Sequence, residues 1–255
     1  MVPRALWLLL CAGWAWGDGP LVVVGGGERP RVAMQRFVEW AGGPRARILV
    51  VPWASAEPVA SYGGLSEDLE PLRPAAVEMA PLAPLDGEGR ARFLTLLGQA
   101  TGVFFGGGDQ SRIMDVLADP GLLAAVRARH RAGAAFGGTS AGAAVTSRIM
   151  ITGEGDFTTI DAARVVTREG LGLVPGVIVD QHFLKRSRQN RLFALVLAFP
   201  RELGVGIDED AAILVREGMA DVVGGPVMLV DGAERPGALV VRLVRPGGRF
   251  ALPAR

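Results

Sequence analysis

The chain has 255 residues, 49% of them hydrophobic and 21% charged, with a formal net charge of +1. That is globular composition, enough for one large domain with a full core, and the near-neutral balance excludes nucleic acid or an anionic membrane as the main partner. Cys11 is the only cysteine, which excludes an internal disulfide and a thiolate metal site, and no metal is expected elsewhere.

In chain order, the first residues have the form of an export signal. Arg4 supplies a positive start, residues 5–15 are almost wholly apolar, and Ala15-Trp16-Gly17 is a small-x-small cleavage pattern before Asp18. The apolar run is too short for a permanent bilayer anchor. The expected organisation is a cleavable leader over residues 1–17 and one α/β domain over residues 18–255, exported to the periplasm or beyond, with no membrane attachment of the mature form.

Residues 21–24 are a β-branched apolar run, read as a buried strand, which ends in Gly25-Gly26-Gly27. Helical spacing comes next over 31–41, with Val32, Phe37, Val38 and Trp40 as candidate core positions. Residues 47–52 and 77–79 read as strands, 91–97 as a helix, and 102–105 as a strand that ends in Gly106-Gly107-Gly108. Helices are expected over 111–117 and 122–133, then a strand over 134–136. Farther on come strands over 177–179 and 205–207, a helix over 189–198, and a strand over 211–215 beside that of 205–207. The tail carries 222–223, 227–230 and 238–243, read as antiparallel strands at the sheet edge. Short apolar strands alternating with helices imply an α/β fold: a mostly parallel sheet covered by helices on both faces.

Directly after the strand at 134–136 lies Gly137-Gly138-Thr139-Ser140-Ala141-Gly142-Ala143. Small residues on both sides of one serine are what a sharp strand-to-helix turn requires. Such a turn lifts the hydroxyl out at the carboxyl end of the sheet, and Gly138-x-Ser140-x-Gly142 fits this nucleophile elbow. Loops after parallel strands gather at that same edge. The N–H groups of Gly107 and Gly108, with that of Ala141, are candidates for stabilising an oxyanion beside Ser140.

The chain has two histidines. His130 lies in a basic stretch, Arg127 to Arg131, where a solvated surface position is expected. His182 comes after the strand at 177–179 in Asp180-Gln181-His182-Phe183, and imidazole can both take a hydroxyl proton and return it to a leaving amine. The acid that would orient it is open on the residues alone: Glu154, Asp156, Asp208, Glu209 and Asp210 are all candidates. Beyond His182, Arg186, Arg188 and Arg191 suit carboxylates, while Asp109, Asp180 and Gln181 suit a guanidinium.

Taken together, GGGDQ, GGTSAGAAV, DQHFLKRSRQNRL and GIDEDAAILV resemble the cyanophycinase branch of the serine peptidase family that includes aspartyl dipeptidase (peptidase E). The resemblance implies a flavodoxin-like or class I glutamine amidotransferase-like fold, no cofactor and a homodimer. It implies hydrolysis of cyanophycin, a poly-aspartate backbone with arginine joined to each β-carboxylate, to β-aspartyl-arginine dipeptides. By the same resemblance Ser140 is the nucleophile, His182 the base and Glu154 the acid. The resemblance also matches Gln110, Asp180, Gln181, Arg186, Arg188 and Arg191 to positions that line the substrate pocket. The alternatives are a sibling serine peptidase cleaving aspartyl or isoaspartyl dipeptides, and a non-catalytic exported binding domain.

Overall fold

The computed structural model describes residues 18–155, 158–232 and 237–253. The expected leader over 1–17, Cys11 and the candidate acid Asp156 lie outside the described residues.

The central sheet has eight strands. It grows outward from β1 (Leu21–Val24), which pairs in parallel with β5 (Ala135–Thr139). On that side come β4 (Gly102–Phe105), β2 (Arg47–Val51) and β3 (Ala76–Met79), all parallel. On the other side β10 (Ala212–Arg216), β11 (Met219–Val223) and β14 (Arg249–Ala251) add antiparallel. In β1, Leu21 and Val23 enter one core and Val22 and Val24 another, so both faces are apolar and both are covered.

On the Val22 face lie α1 (Arg31–Trp40) and α2 (Pro58–Leu69), through Met34, Phe37, Leu65 and Leu69. Phe37 meets Phe104 edge to face at 5.2 Å. The apolar stripe of α1 runs through Ala33, Met34, Phe37 and Val38, with Trp40 partly buried beside it; of the four expected positions only Val32 is exposed. The Val23 face carries α3 (Gly87–Gln99), α4 (Gln110–Val116), α5 (Pro120–Arg131) and the single turn α6 (Ala141–Ala144). His130 is buried on α5, edge-on to Phe136 at 5.1 Å, rather than solvated. It stands four residues after the buried Val126, which places it on the inward stripe between the half-buried Arg129 and the exposed Arg131.

The expected strands at 177–179 and 205–207 do not join the central sheet. They form a second sheet of four, in the order β13 (Leu239–Val244), β12 (Val227–Gly232), β9 (Leu203–Ile207) and β8 (Val177–Gln181). Here β8 and β9 are parallel and the rest antiparallel. The tail is therefore split: β11 and β14 close the central edge, while β12 and β13 build the second sheet. Alternation explains the placement. Val177, Val179, Val205 and Leu229 point into the core shared with the central sheet. Ile178 and Val230 point the other way, onto α7 (Gln189–Ala198) and the hairpin of β6 (Ile149–Gly155) and β7 (Val165–Glu169).

Candidate active site

Ser140 ends β5 at the elbow with φ 53° and ψ −110°, outside the ordinary regions for a residue with a side chain. The flanking glycines are sterically required. A Cβ at Gly138 would stand 2.1 Å from the Gly142 carbonyl oxygen, and one at Gly142 would stand 2.2 Å from that of Phe105. The turn closes this tightly only because both side chains are missing, and it leaves Ser140 in the strained position.

Ser140 Oγ is 2.8 Å from His182 Nε2, and His182 Nδ1 is 2.7 Å from Glu209 Oε1. A carboxylate only accepts, so Nδ1 carries the proton and Nε2 is free to accept from the Ser140 hydroxyl. Burial lowers the His182 pKa below its usual 6.5; the Glu209 hydrogen bond opposes that shift, and the Arg186 charge adds to it. The Glu209 carboxyl is held below its usual value, chiefly by the hydrogen bond from His182. The result is a neutral imidazole beside an ionised carboxylate near neutral pH, an arrangement able to withdraw a proton from a serine hydroxyl.

The carboxylate that meets His182 Nδ1 is Glu209, in the loop between β9 and β10, and not the expected Glu154. Glu154 is exposed near the end of β6, where its backbone N–H donates to Thr152 Oγ1. Asp208 instead accepts from the N–H groups of Lys185 and Glu209, and Asp210 from that of Glu28. Three adjacent acids are separated by backbone direction alone, which the sequence does not display.

Gly25-Gly26-Gly27 carry no role legible in the sequence, yet they seat the imidazole. His182 N–H donates to the Gly25 carbonyl at 2.9 Å, and a Cβ on Gly26 would fall 2.3 Å from His182 Cε1. The Gly26 carbonyl accepts from Asp210 N–H at 2.9 Å, fixing the loop that carries Glu209. The one signal available is position, since this loop comes after a parallel strand at the same edge as the elbow.

Gly107 sits beside the serine: a Cβ there would be 3.4 Å from Ser140 Cβ and 3.9 Å from Oγ. The N–H groups of Gly107, Gly108 and Ala141 donate to no acceptor among the described residues. Gly108 turns away, its missing Cβ facing the Ala54 carbonyl at 2.1 Å. Of the expected trio of donors, Gly107 lies beside Oγ and Ala141 follows Ser140 directly in the chain.

Five of the six expected pocket residues lie in the β8–α7 segment around His182 and Gln110 opens α4, and most are spent on one another. Asp180 and Arg191 are each 1% exposed and form a forked ion pair. Burial raises the Asp180 pKa and the Arg191 fork opposes it. Arg191 Nη1 also reaches the Thr152 carbonyl, and the buried Gln110 donates to that of Ile151 at 2.7 Å. Gln181 accepts Arg188 Nη1 on both its backbone and side-chain oxygens. Burial, then repulsion from Arg191, push Arg188 down to about 10. Arg186 alone of the six is exposed.

A cavity of about 310 Å3 opens on Ser140 and His182, walled by Gly26, Arg29, Ser61, Gly64 and Gly107 among others. A larger one, about 660 Å3, lies beyond residues 53–58 against Arg90, Arg112 and Asp119; neither Ser140 nor His182 lines it.

The model of Peptidase family S51 matches residues 21–223, a span that runs from β1 through the elbow and His182 to β11. The chain belongs to peptidase family S51 and is a peptidase. A cyanophycinase of Trichormus variabilis is 39% identical over 220 residues, covering 84% of this chain and 74% of that relative. One of Geminocystis herdmanii is 37% identical over 224 residues, covering 83% and 80%. Among solved structures, a peptidase from an acI-B1 Actinobacterium aligns with TM-score 0.73 at 23% identity, over 93% of this S51 chain and 98% of the other. A putative peptidase E of Listeria monocytogenes aligns at 0.56 and 16%, over 89% and 99%. At these identities the two structures speak for the fold alone.

Proposed function

We propose that this S51 peptidase hydrolyses cyanophycin, releasing β-aspartyl-arginine dipeptides from a chain end through an acyl-enzyme on Ser140. The observation that carries the reading is the unbroken chain of hydrogen bonds from Ser140 Oγ through His182 to Glu209, at 2.8 and 2.7 Å. The cyanophycinase relatives, matched over most of both chains, supply the substrate class.

In this mechanism Ser140 Oγ attacks the scissile carbonyl carbon while its proton passes to His182 Nε2. The carbonyl oxygen becomes an oxyanion beside the N–H groups of Gly107 and Ala141. Collapse breaks the C–N bond, and Nε2 returns the proton to the leaving amine. Water then repeats the sequence on the acyl ester, again with His182 as base, and releases Ser140 and a free carboxylate. Glu209 keeps the tautomer and balances the imidazolium that forms in each half-reaction. Arg186, and the guanidinium edge of Arg188 that Gln181 leaves open, are positioned for carboxylates of the polymer. The same reading includes export and a homodimer, to be tested by N-terminal sequencing of secreted material and by light scattering.

The test is mass spectrometry of products from wild-type enzyme and cyanophycin beside a Ser140→Ala control. β-Aspartyl-arginine from the wild type alone is the expected result. Cleavage of aspartyl dipeptides without action on the polymer would overturn the substrate, and full activity of the variant would overturn the nucleophile.

A further inference from the structure

The cavity in front of Ser140 has one cation in its wall that the mechanism leaves unused. Arg29 comes just after the Gly25–Gly27 turn and reaches across to α2. There its Nε donates to Asp68 Oδ2 and its Nη2 donates to the Gly64 carbonyl at 2.9 Å. Nη1 has no partner among the described residues, and the side chain is 23% exposed. Two anchors on one helix hold the guanidinium plane still and leave one end of its fork unpaired, in a residue that lines the cavity. A pre-oriented fork of this kind suits a planar carboxylate.

The helix that anchors Arg29 has an unusual wall. Ala60, Ser61, Gly64 and Leu65 of α2 line the cavity, so its inward face there is mostly small. Glycine is among the least favourable residues inside a helix. Packing does not demand one at 64, since a Cβ there would meet nothing within 4 Å. The missing side chain keeps open the space between Arg29 and Ser140. At about 310 Å3 that space is near the lower end of small-ligand sites, and it suits one or two residues of substrate rather than a length of polymer.

We propose that Arg29, held by Asp68 and the Gly64 carbonyl, is a specificity-determining residue that binds the free α-carboxylate of an arginine carried on the substrate's aspartate backbone. The inference rests on cyanophycin being the substrate, because in that polymer each pendant arginine keeps its α-carboxylate free. Gly64 provides the room for it. Arg29 reaches the substrate from the β1–α2 side, whereas Arg186 and Arg188 stand on the β8–α7 side.

The experiment compares kcat/KM on a synthetic two-unit cyanophycin segment with that on the same segment bearing arginine α-carboxamides. Wild-type enzyme is expected to lose at least about tenfold on amidation, and Arg29→Met to treat the two alike within about twofold. Sulfonylation of Ser140 by a small neutral sulfonyl fluoride, with loss of fluoride, together with Tm, checks that the variant's elbow is intact. Should Arg29→Met fail to fold, Gly64→Leu takes its place. Leucine favours the helix and its Cβ meets nothing within 4 Å, so Tm should hold while KM for the free-carboxylate segment rises about tenfold or more. Undiminished discrimination in Arg29→Met, indifference of the wild type to amidation, or an unchanged KM in Gly64→Leu would each overturn the assignment. A wild type that is sulfonylated by the sulfonyl fluoride yet inert on both segments would instead overturn the substrate reading, and the inference with it.

Discussion

Ser140 is held at φ 53° by its glycine neighbours, and that strain is separable from its chemistry. Ser140→Ala and Ser140→Gly both delete the hydroxyl and its hydrogen bond to His182, so both should abolish turnover. Only glycine relaxes the backbone, and after its own entropic cost it should be the more stable of the two by about 1 kcal/mol. Equal melting temperatures would mean that the elbow stores no strain. His182 must be neutral to take the serine proton, and burial sets its pKa below 6.5. Activity is therefore lost as pH falls through that value, and the acidic limb of kcat/KM should have its midpoint below 6.5. Glu209 works against this shift, so Glu209→Gln should move the limb to still lower pH while cutting kcat by about a hundredfold or more. Glu154→Gln should change neither quantity. A pH–rate profile of the two variants separates the acids.

At the scale of elements, the region behind His182 is held by a buried polar knot. Asp180 on β8 and Arg191 on α7 pair at 1% exposure, and Arg191 extends to the Thr152 carbonyl on β6. One guanidinium thus ties a strand, a helix and a hairpin. Arg191→Met would leave Asp180 buried without its counter-charge and should cost about 3 kcal/mol, read as a lower urea midpoint. Asp180→Asn combined with Arg191→Met should recover part of that loss, since the uncompensated charge is then gone. A variant as stable as the wild type would return Arg191 to the substrate pocket that the sequence resemblance assigns it. The same knot explains why these residues look functional in the sequence: a dense polar motif next to a catalytic histidine reads alike whether it faces a ligand or the interior.

At the scale of the whole molecule, the candidate site exists only where two sheets meet. Ser140 leaves the central sheet after β5, while His182 and Glu209 leave the second sheet after β8 and β9. The sheets share one core, to which Val23, Phe105, Val179, Val205 and Leu229 all contribute. Loss of turnover and loss of far-UV signal in urea should therefore coincide in a single transition; activity vanishing well before the helical signal would show the sheets parting first. Much of this is readable from residues. Buried β-branched runs locate the strands, because a strand covered on both faces has no polar side to show. The small residues around Ser140 mark the elbow, because a Cβ added at Gly138 or Gly142 would fall about 2 Å from a backbone oxygen. Helix α2 is hidden in the sequence because Gly63 and Gly64 dilute its pattern, and the β6–β7 hairpin because polar residues break its alternation. Ser140 and His182 can be paired from their loops alone. Tertiary structure alone decided that Glu209 rather than Glu154 faces the imidazole, and that Asp180 and Arg191 face each other. It also divided the strands after residue 176 between two sheets. Sequence pattern reports which side chains must be buried or small, whereas the partner of a charged group depends on the direction in which distant segments bring their backbones together.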